Sequence, residues 1–252
     1  MPVLYNSNWE IKDVRCVLFD KDGTLLDGNL FWGNIIMKRS NHIIQHYELN
    51  DNSFKDLCLI MGYSIETCKL LPAGPVGIAP REKVIEVVVD YLNSIKINVS
   101  FSEIGSIFNE IHTQLPIDKN SYVKILPGVK KLFNILKQND IKISIVTSDT
   151  ELNTLNFLKE NEMLNYVDLI IGRETTKEHK NTGIPAIIAI EKLNIKSDNI
   201  VCIGDAPMDL IMSKNSNCLA SIGVLTGQTC EKDLRLYTQF IVENLEEINI
   251  KN

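Results

Sequence analysis

The sequence lacks any cysteine pair with the C-x-x-C spacing that is typical of a zinc site, although it contains six cysteines. They are Cys16, Cys58, Cys68, Cys202, Cys218 and Cys230. Cys16 and Cys202 lie in apolar segments that predict strands, where a free thiol packs as a small hydrophobic side chain. We therefore expect reduced cysteines and a cytoplasmic protein.

Signals for export and for membrane insertion are also missing. Residues Met1 to Asp13 are polar and interrupted by Pro2, so they do not form the cationic-then-apolar pattern of a signal peptide. No apolar run approaches the length of a membrane span. The net charge of −6 argues against binding to nucleic acid or to a membrane, because both favour a basic surface.

What the chain does contain is the composition of a globular protein, with 44% hydrophobic and 23% charged residues. Short segments that are apolar on both faces predict the strands of a buried parallel sheet. These segments are Val14–Phe19, Ile141–Thr147, Val167–Ile171, Ile200–Ile203 and Cys218–Val224. Because helical patterns alternate with them after residue 120, we predict an α/β core with a doubly wound, Rossmann-like parallel sheet.

Residues 28–120 break this alternation, since they contain no convincing strand pattern. They predict helices instead, over Phe31–Tyr47, Ser53–Leu70, Pro80–Ser94 and Ser102–Leu115. The segment is too long for one crossover, so we predict an inserted α-helical cap domain at 28–120 and a core domain formed by 1–27 and 121–252. Polar hinges are expected near Asp27–Asn29 and Asp118–Ser121. Ligands of open α/β sheets bind beyond the carboxyl ends of the strands, where such a cap would close.

Two carboxylates, Asp20 and Asp22, follow the first predicted strand directly and precede Gly23. Two acids crowded at the end of a strand can divide the work of catalysis, one as nucleophile and one as proton donor, especially beside a divalent cation. Short D-x-D patterns also occur in ordinary acidic turns, so the other strand ends must decide between the two interpretations.

Those strand ends carry polar residues as well. Thr147 ends the second predicted strand and Ser148 follows it, and a hydroxyl at such a strand end can donate to a phosphate oxygen. Ser148 or Asp149 could instead cap the next helix. Asp205 and Asp209 follow the fourth strand, and carboxylates there suit a hard cation such as Mg²⁺. Asp205 could also be a helix cap, and Asp209 could orient its neighbours without binding the ion.

A charged loop at 172–183 offers a lysine that could neutralise the nucleophile and a phosphate. Lys180 is favoured over Lys177 because it lies nearer the start of the next predicted helix.

Taken together, the Asp20-x-Asp22-Gly-Thr-Leu segment, Thr147, a lysine before the helix at Ile184–Leu193 and the Gly204-Asp205-x-x-x-Asp209 segment resemble the haloacid dehalogenase superfamily. The resemblance is greatest to its phosphoglycolate-phosphatase-like subgroup, which has a helical cap. It implies that Asp20 forms an aspartyl-phosphate and that Asp22 protonates the leaving group.

The same resemblance assigns the remaining site residues. Thr147 with Ser148 and a lysine, Lys180 or Lys177, would bind the phosphoryl group. The lysine of that family is usually followed by proline, whereas neither Lys177 nor Lys180 is. The metal, Mg²⁺, would be bound by Asp20, by the main-chain carbonyl of Asp22 and by Asp205, with Asp209 in support.

The expected activity is therefore that of a magnesium-dependent phosphatase acting on a small phosphorylated metabolite, as a monomer or homodimer without nucleic-acid or membrane partners. Two alternatives stay open: a phosphomutase or phosphonate hydrolase on the same scaffold, and an inactive relative that serves as a binding or regulatory subunit.

Overall fold

The computed structural model describes residues 2–114 and 123–251, with side chains at 2–111 and 123–251. The chain divides into two compact units, one formed by Met1–Leu26 with Ile125–Asn252 and the other by Asp27–Lys124. The predicted domain boundary between residues 120 and 121 and the predicted hinge at 118–121 lie outside the described residues. The predicted domain limits therefore stay a prediction.

Strands and helices are numbered in chain order. The described strands are β1 (Val3–Tyr5), β2 (Glu10–Ile11), β3 (Cys16–Phe19), β4 (Tyr63–Ser64), β5 (Lys69–Leu70), β6 (Lys142–Val146), β7 (Leu169–Ile171), β8 (Ile200–Gly204), β9 (Ala220–Val224), β10 (Phe240–Val242) and β11 (Asn249–Lys251). The described α-helices are α1 (Gly28–His46), α2 (Asp51–Ile60), α3 (Arg81–Ser94), α4 (Phe101–Gln114), α5 (Val129–Gln138), α6 (Glu151–Glu160), α7 (Ile184–Leu193), α8 (Pro207–Asn215) and α9 (Glu231–Leu234).

The first unit is built on a six-stranded parallel sheet with the order β10-β9-β8-β3-β6-β7. All residues of β3 and β8 are buried, as expected for central strands that are covered on both faces. The predicted α/β class with a doubly wound parallel sheet is confirmed, and each of the five predicted strands is present within a few residues of its predicted bounds.

The sheet register brings several strand ends together. Phe19, the last residue of β3, is level with Ile145 on β6 and with Ile203 on β8. Residues just beyond these three positions therefore lie at one edge of the sheet, where carboxyl ends of parallel strands meet.

Two parts of the first unit were not predicted. β10 adds a sixth parallel strand beside β9, and β1 pairs antiparallel with both β2 and β11 in a separate three-stranded sheet. The pairing of β1 with β11 joins residues that are far apart in the sequence, so no local pattern predicts it.

The second unit is mainly helical and packs α1, α2, α3 and α4 around its own apolar core. The Asp27 carboxylate caps α1 by accepting a hydrogen bond from the Leu30 N–H at 3.0 Å. The prediction of one helix over Ser53–Leu70 is wrong, because α2 ends at Ile60 and is followed by Gly62 with φ +97°. A short antiparallel pair, β4 with β5, occupies the rest of that segment.

The other predicted helices of this unit correspond to α1, α3 and α4, although the predicted end at Leu115 lies outside the described residues. In the described part of the chain no helix is both long enough and apolar enough to cross a membrane.

Candidate active site

The chain turns sharply after β3 and places Asp20 at the edge of the sheet. The Asp20 N–H still donates to the Ile203 carbonyl at 2.9 Å, so its backbone is held by β8. The Lys21 carbonyl then accepts hydrogen bonds from the N–H groups of Leu25 and Leu26 at 2.8 and 3.0 Å. Gly23, in the middle of this turn, has φ +92°, a conformation that favours glycine.

Lys180 joins two carboxylates, one directly after β3 and the other in the first turn of α8. Its Nζ contacts Asp20 Oδ1 and lies 2.8 Å from Asp209 Oδ1. Burial disfavours the lysine charge, but Asp20 and Asp209 outweigh that effect and raise the pKa of Lys180. Lys180 is 6% exposed, whereas Lys177 is exposed. Of the two candidate lysines, the structure brings Lys180 to the carboxylates.

Asp205 completes a cluster of three carboxylates. Asp20, Asp205 and Asp209 offer oxygen atoms that all lie within 4.8 Å of one another. Asp205 is 5% exposed and accepts hydrogen bonds from Thr24 Oγ1 at 3.3 Å and from the Gln228 N–H at 3.2 Å. Burial, together with the charges of Asp20 and Asp209, raises the pKa of Asp205 well above its ordinary value.

The charge balance of this cluster fits a divalent cation. When ionised, three carboxylates face one ammonium group, and the ion pairs of Lys180 leave Asp205 with neutral hydrogen-bond donors. Oxygen ligands from carboxylates are those that Mg²⁺ prefers. A cation here would offset the repulsion from Asp20 and Asp209, which adds to burial in raising the pKa of Asp205. In the described residues this is the one group of three or more potential metal-binding side chains with this spacing.

Asp209 does more than pair with Lys180. Its Oδ2 accepts a hydrogen bond from the Ala206 N–H at 3.2 Å, which fixes the carboxylate at the first turn of α8. The residue is 1% exposed. Asp205 is not the cap of α8, because that position belongs to Ala206.

Lys21 and Asp22 form a second charged cluster beside the first. Lys21 is 2% exposed, and its Nζ lies 2.6 Å from Asp22 Oδ1 and 3.1 Å from Asp149 Oδ2. Burial disfavours the charge on Lys21, but the two carboxylates raise its pKa overall. Burial also raises the pKa of Asp22, against the opposing effect of Lys21. The Asp22 side chain keeps 20% of its surface exposed.

The end of β6 carries the hydroxyl groups that the sequence singled out. Thr147 is 6% exposed, and its Oγ1 accepts a hydrogen bond from the Asp149 N–H at 3.1 Å, while Ser148 is exposed. Neither Ser148 nor Asp149 caps α6, because Thr150 accepts the hydrogen bond from the Asn153 N–H at 3.1 Å. Thr147 comes directly after β6, just as Asp20 comes directly after β3 and Asp205 after β8.

Residues 17–222 match the family model described as haloacid dehalogenase-like hydrolase. The chain belongs to this hydrolase family. The family predicted from the strand-end motifs is thereby confirmed, and the protein is an enzyme of that family.

Named relatives agree with this family assignment, and a solved structure agrees with the fold of the hydrolase. It is 33% identical over 106 residues to the phosphoglycolate phosphatase of Neisseria meningitidis, covering 42% of this chain and 45% of that protein. It is 24% identical over 204 residues to the pyrophosphatase PpaX of Bacillus mycoides, covering 81% and 80%. The fold matches the crystal structure of a predicted phosphoglycolate phosphatase from Haemophilus somnus with a TM-score of 0.72 and 15% identity, over 93% and 96% of the two chains.

Three polar residues of the hydrolase site were not assigned a role from the sequence. Lys21 pairs with Asp22 and Asp149, Thr24 donates to Asp205, and Thr226 donates from Oγ1 to the Gly23 carbonyl at 2.6 Å. Lys21 carried a usable signal, because a lysine between two acids at the end of a buried strand can hardly avoid an ion pair. The contact of Thr226 depends on residues distant in the chain and had no such signal.

Proposed function

We propose that this hydrolase is a magnesium-dependent phosphatase that removes the phosphoryl group of a small metabolite through an aspartyl-phosphate on Asp20. The observation that carries the proposal is the contact of Lys180 with Asp20 and Asp209 inside a cluster of three carboxylates. Relatives named as phosphatases and pyrophosphatases support the same type of reaction.

Asp20 is the proposed nucleophile. Its carboxylate is 12% exposed, and its backbone is fixed by β8, so its direction is set before a substrate arrives. Lys180 would keep Asp20 ionised against the effect of burial, which raises the pKa of Asp20. The same ammonium group would offset negative charge on the phosphoryl group during transfer.

Asp22 is the proposed general acid and base. It would protonate the leaving alkoxide during attack by Asp20 and later accept a proton from the water that hydrolyses the aspartyl-phosphate. The raised pKa of Asp22 favours the protonated form that the first of these steps needs. Lys21 would act as a positioning residue, because it holds one Asp22 oxygen at 2.6 Å.

Asp20, Asp205 and the main-chain carbonyl of Asp22 would hold Mg²⁺, with Asp209 in support through Lys180. When bound, the ion would supply charge neutralisation for the phosphoryl oxygens. Thr147 and Ser148, at the end of β6, would donate hydrogen bonds to the same oxygens, in addition to Lys180.

The unit Asp27–Lys124 would act as the cap domain that selects the substrate. The proposal is supported by its insertion between β3 and α5 and by its separate core.

We also propose that the protein is cytoplasmic. The cysteines of the described residues are free thiols, which supports this location.

Purified protein should be incubated with a panel of phosphorylated metabolites, including 2-phosphoglycolate and pyrophosphate, with Mg²⁺ or with EDTA. We expect release of inorganic phosphate with Mg²⁺ only, and none from the Asp20→Asn variant. Activity that survives EDTA or Asp20→Asn would contradict the mechanism. A sugar phosphate that is isomerised without phosphate release would favour the phosphomutase, and a complete absence of turnover would favour the inactive relative.

A further inference from the structure

Arg39 is a buried arginine in the helical unit Asp27–Lys124. It lies on α1 and is 8% exposed, on the same face as the buried Ile35, Ile36 and Ile43. Arginine is almost never buried to this extent unless an anion or several hydrogen-bond acceptors accompany it. The partners of its guanidinium group therefore need to be accounted for.

The main contact of Arg39 is an aromatic ring. Its guanidinium carbon lies 4.0 Å from the ring centroid of Phe108, on α4. Its Nε is buried and has no hydrogen-bond partner, and within residues 2–111 and 123–251 no carboxylate forms an ion pair with it. A cation–π contact offsets only a small part of the cost of removing a charge from water.

A second arginine lies beside the same aromatic ring. Arg81, at the first residue of α3, has its guanidinium carbon 5.9 Å from the centroid of the same Phe108 ring. Its Nη2 is held by Asn109 Oδ1 at 2.7 Å and by the Gly105 carbonyl at 3.3 Å. Burial and then the charge of Arg81 lower the pKa of Arg39 to about 9, so Arg39 is still cationic at neutral pH.

We propose that Arg39, with Arg81 beside it, forms an oxyanion-binding site in the helical unit, which takes a phosphate or carboxylate group. The planar guanidinium of Arg39 is rigid against Phe108 and offers a fork of N–H donors that matches two oxygens of such an anion. A bound anion would supply the hydrogen-bond acceptors and the negative charge that the described residues do not give to Arg39. This assignment goes beyond the proposed function, because it concerns a second anion site, formed by residues of a different unit from that of the carboxylate cluster.

The anion could have two sources. It could be free in solution, or it could be a second anionic group carried by the phosphorylated substrate. Only the second source rests on the proposed function, so binding and turnover need separate measurements.

The binding test uses inorganic phosphate as the probe. Its affinity for full-length protein in EDTA is measured by calorimetry, and thermal unfolding is recorded with phosphate or with chloride at equal ionic strength. We expect Arg39→Met to weaken one phosphate-binding event by roughly tenfold or more, because a charge-assisted pair of hydrogen bonds is lost. Lys83→Met, which removes an exposed cation from α3, serves as the control and should leave the affinity unchanged.

Stability separates a binding role from a packing role. If the site is built for an anion, Arg39→Met keeps or raises the melting temperature without phosphate, because methionine also packs on Phe108 and removes an unpaired buried charge. A lower melting temperature combined with unchanged phosphate affinity would overturn the proposal. If Arg39→Met does not fold, Arg81→Met provides the second test, and unchanged phosphate affinity in that variant would also count against the site.

A kinetic comparison identifies the source of the anion. It uses two phosphate monoesters of similar size, one with a carboxylate and one without. A KM that rises in Arg39→Met for the carboxylate-bearing ester alone, with kcat unchanged, assigns the site to the substrate. Loss of phosphate binding without a change in either KM assigns it to a free anion. Because the calorimetric result needs no turnover, it stands even if the proposed function fails.

Discussion

Lys21 and Asp149 form an ion pair between the ends of two neighbouring strands, with Lys21 Nζ 3.1 Å from Asp149 Oδ2. Asp149 is itself fixed, since its Oδ1 accepts hydrogen bonds from the Thr150 N–H at 2.7 Å and from Asn153 Nδ2 at 2.8 Å. The first turn of α6 therefore holds Lys21, and Lys21 holds the carboxylate of Asp22. This chain of contacts explains how a carboxylate with 20% of its surface exposed keeps one direction.

The first prediction concerns the role of Lys21 as a positioning residue. Lys21→Met should slow hydrolysis of an alkyl phosphate much more than that of an aryl phosphate, because only the poor leaving group needs a well-placed general acid. General acid catalysis contributes about 10²–10⁴-fold, and we expect a loss within that range for the alkyl ester. Steady-state kcat values for the two esters provide the measurement.

The matched control for Lys21→Met is Asp22→Asn, which should give the same dependence on the leaving group. An equal loss for both esters in Lys21→Met would indicate that Lys21 supports the fold rather than Asp22.

The second prediction separates the two candidate lysines. Lys180→Ala should lower kcat by about 10²–10³-fold, since it removes a charge that stabilises the transition state. It should also destabilise the protein by about 3–5 kcal/mol, because Asp20 and Asp209 lose their buried partner. Lys177→Ala, which changes an exposed side chain, should leave both quantities nearly unchanged. The measurements are kcat and denaturant unfolding, and the reverse result would assign the role to Lys177.

The sequence predicted the residues of the carboxylate cluster because Asp20 and Asp205 stand directly after apolar strands and Asp209 follows Asp205 by four residues. Asp20 and Asp205 follow β3 and β8, and the parallel register of those strands brings them together. Such a prediction requires only local patterns and the rule that parallel strands share one carboxyl edge. Lys180 was favoured by its nearness to α7, and its contact with Asp20 follows from the same arrangement.

Contacts set by distant pairing could not be predicted in this way. The ion pair of Lys21 with Asp149 depends on the distance between the turn after β3 and the start of α6. The pattern of apolar and polar residues predicts strands and helices but not that distance. Helix α2 was predicted too long because apolar residues recur after Ile60, at Met61, Ile65 and Leu70, whereas the backbone conformation of Gly62 starts a turn there. The three residues of β10 are too few for a period to be recognised.

The third prediction concerns the turn at Gly23. Gly23→Ala should lower activity strongly, because φ is +92° and the added Cβ would lie 2.6 Å from Asp205 Oδ2. The backbone strain alone costs about 1–3 kcal/mol. Gly105→Ala is the matched control, since the nearest atom to its Cβ is Ile85 Cδ1 at 3.8 Å and alanine stabilises a helix by about 0.5–1 kcal/mol.

Activity and thermal unfolding of both glycine variants check this prediction. A Gly23→Ala protein with full activity would show that the turn and Asp205 can move apart without consequence for catalysis.

The last prediction concerns the pH dependence that Asp205 gives to the protein without metal. Burial and then the charges of Asp20 and Asp209 raise the folded-state pKa of Asp205 well above its unfolded value. Between those two values the folded state binds more protons than the unfolded state, so this residue makes the protein more stable as the pH falls. In EDTA, the free energy of unfolding of the wild type relative to Asp205→Asn should therefore increase as the pH is lowered from neutral to about 5.

Magnesium should oppose this pH effect, because a cation bound by Asp205 competes with the proton and favours the ionised carboxylate. Urea unfolding at several pH values, with EDTA and with saturating Mg²⁺, gives the difference between the wild type and Asp205→Asn under each condition. With Mg²⁺, the free energy of unfolding of the wild type relative to Asp205→Asn should instead increase as the pH is raised. Identical pH profiles with and without Mg²⁺ would mean that Asp205 does not bind the ion, and the cation would then have to be assigned to other oxygens.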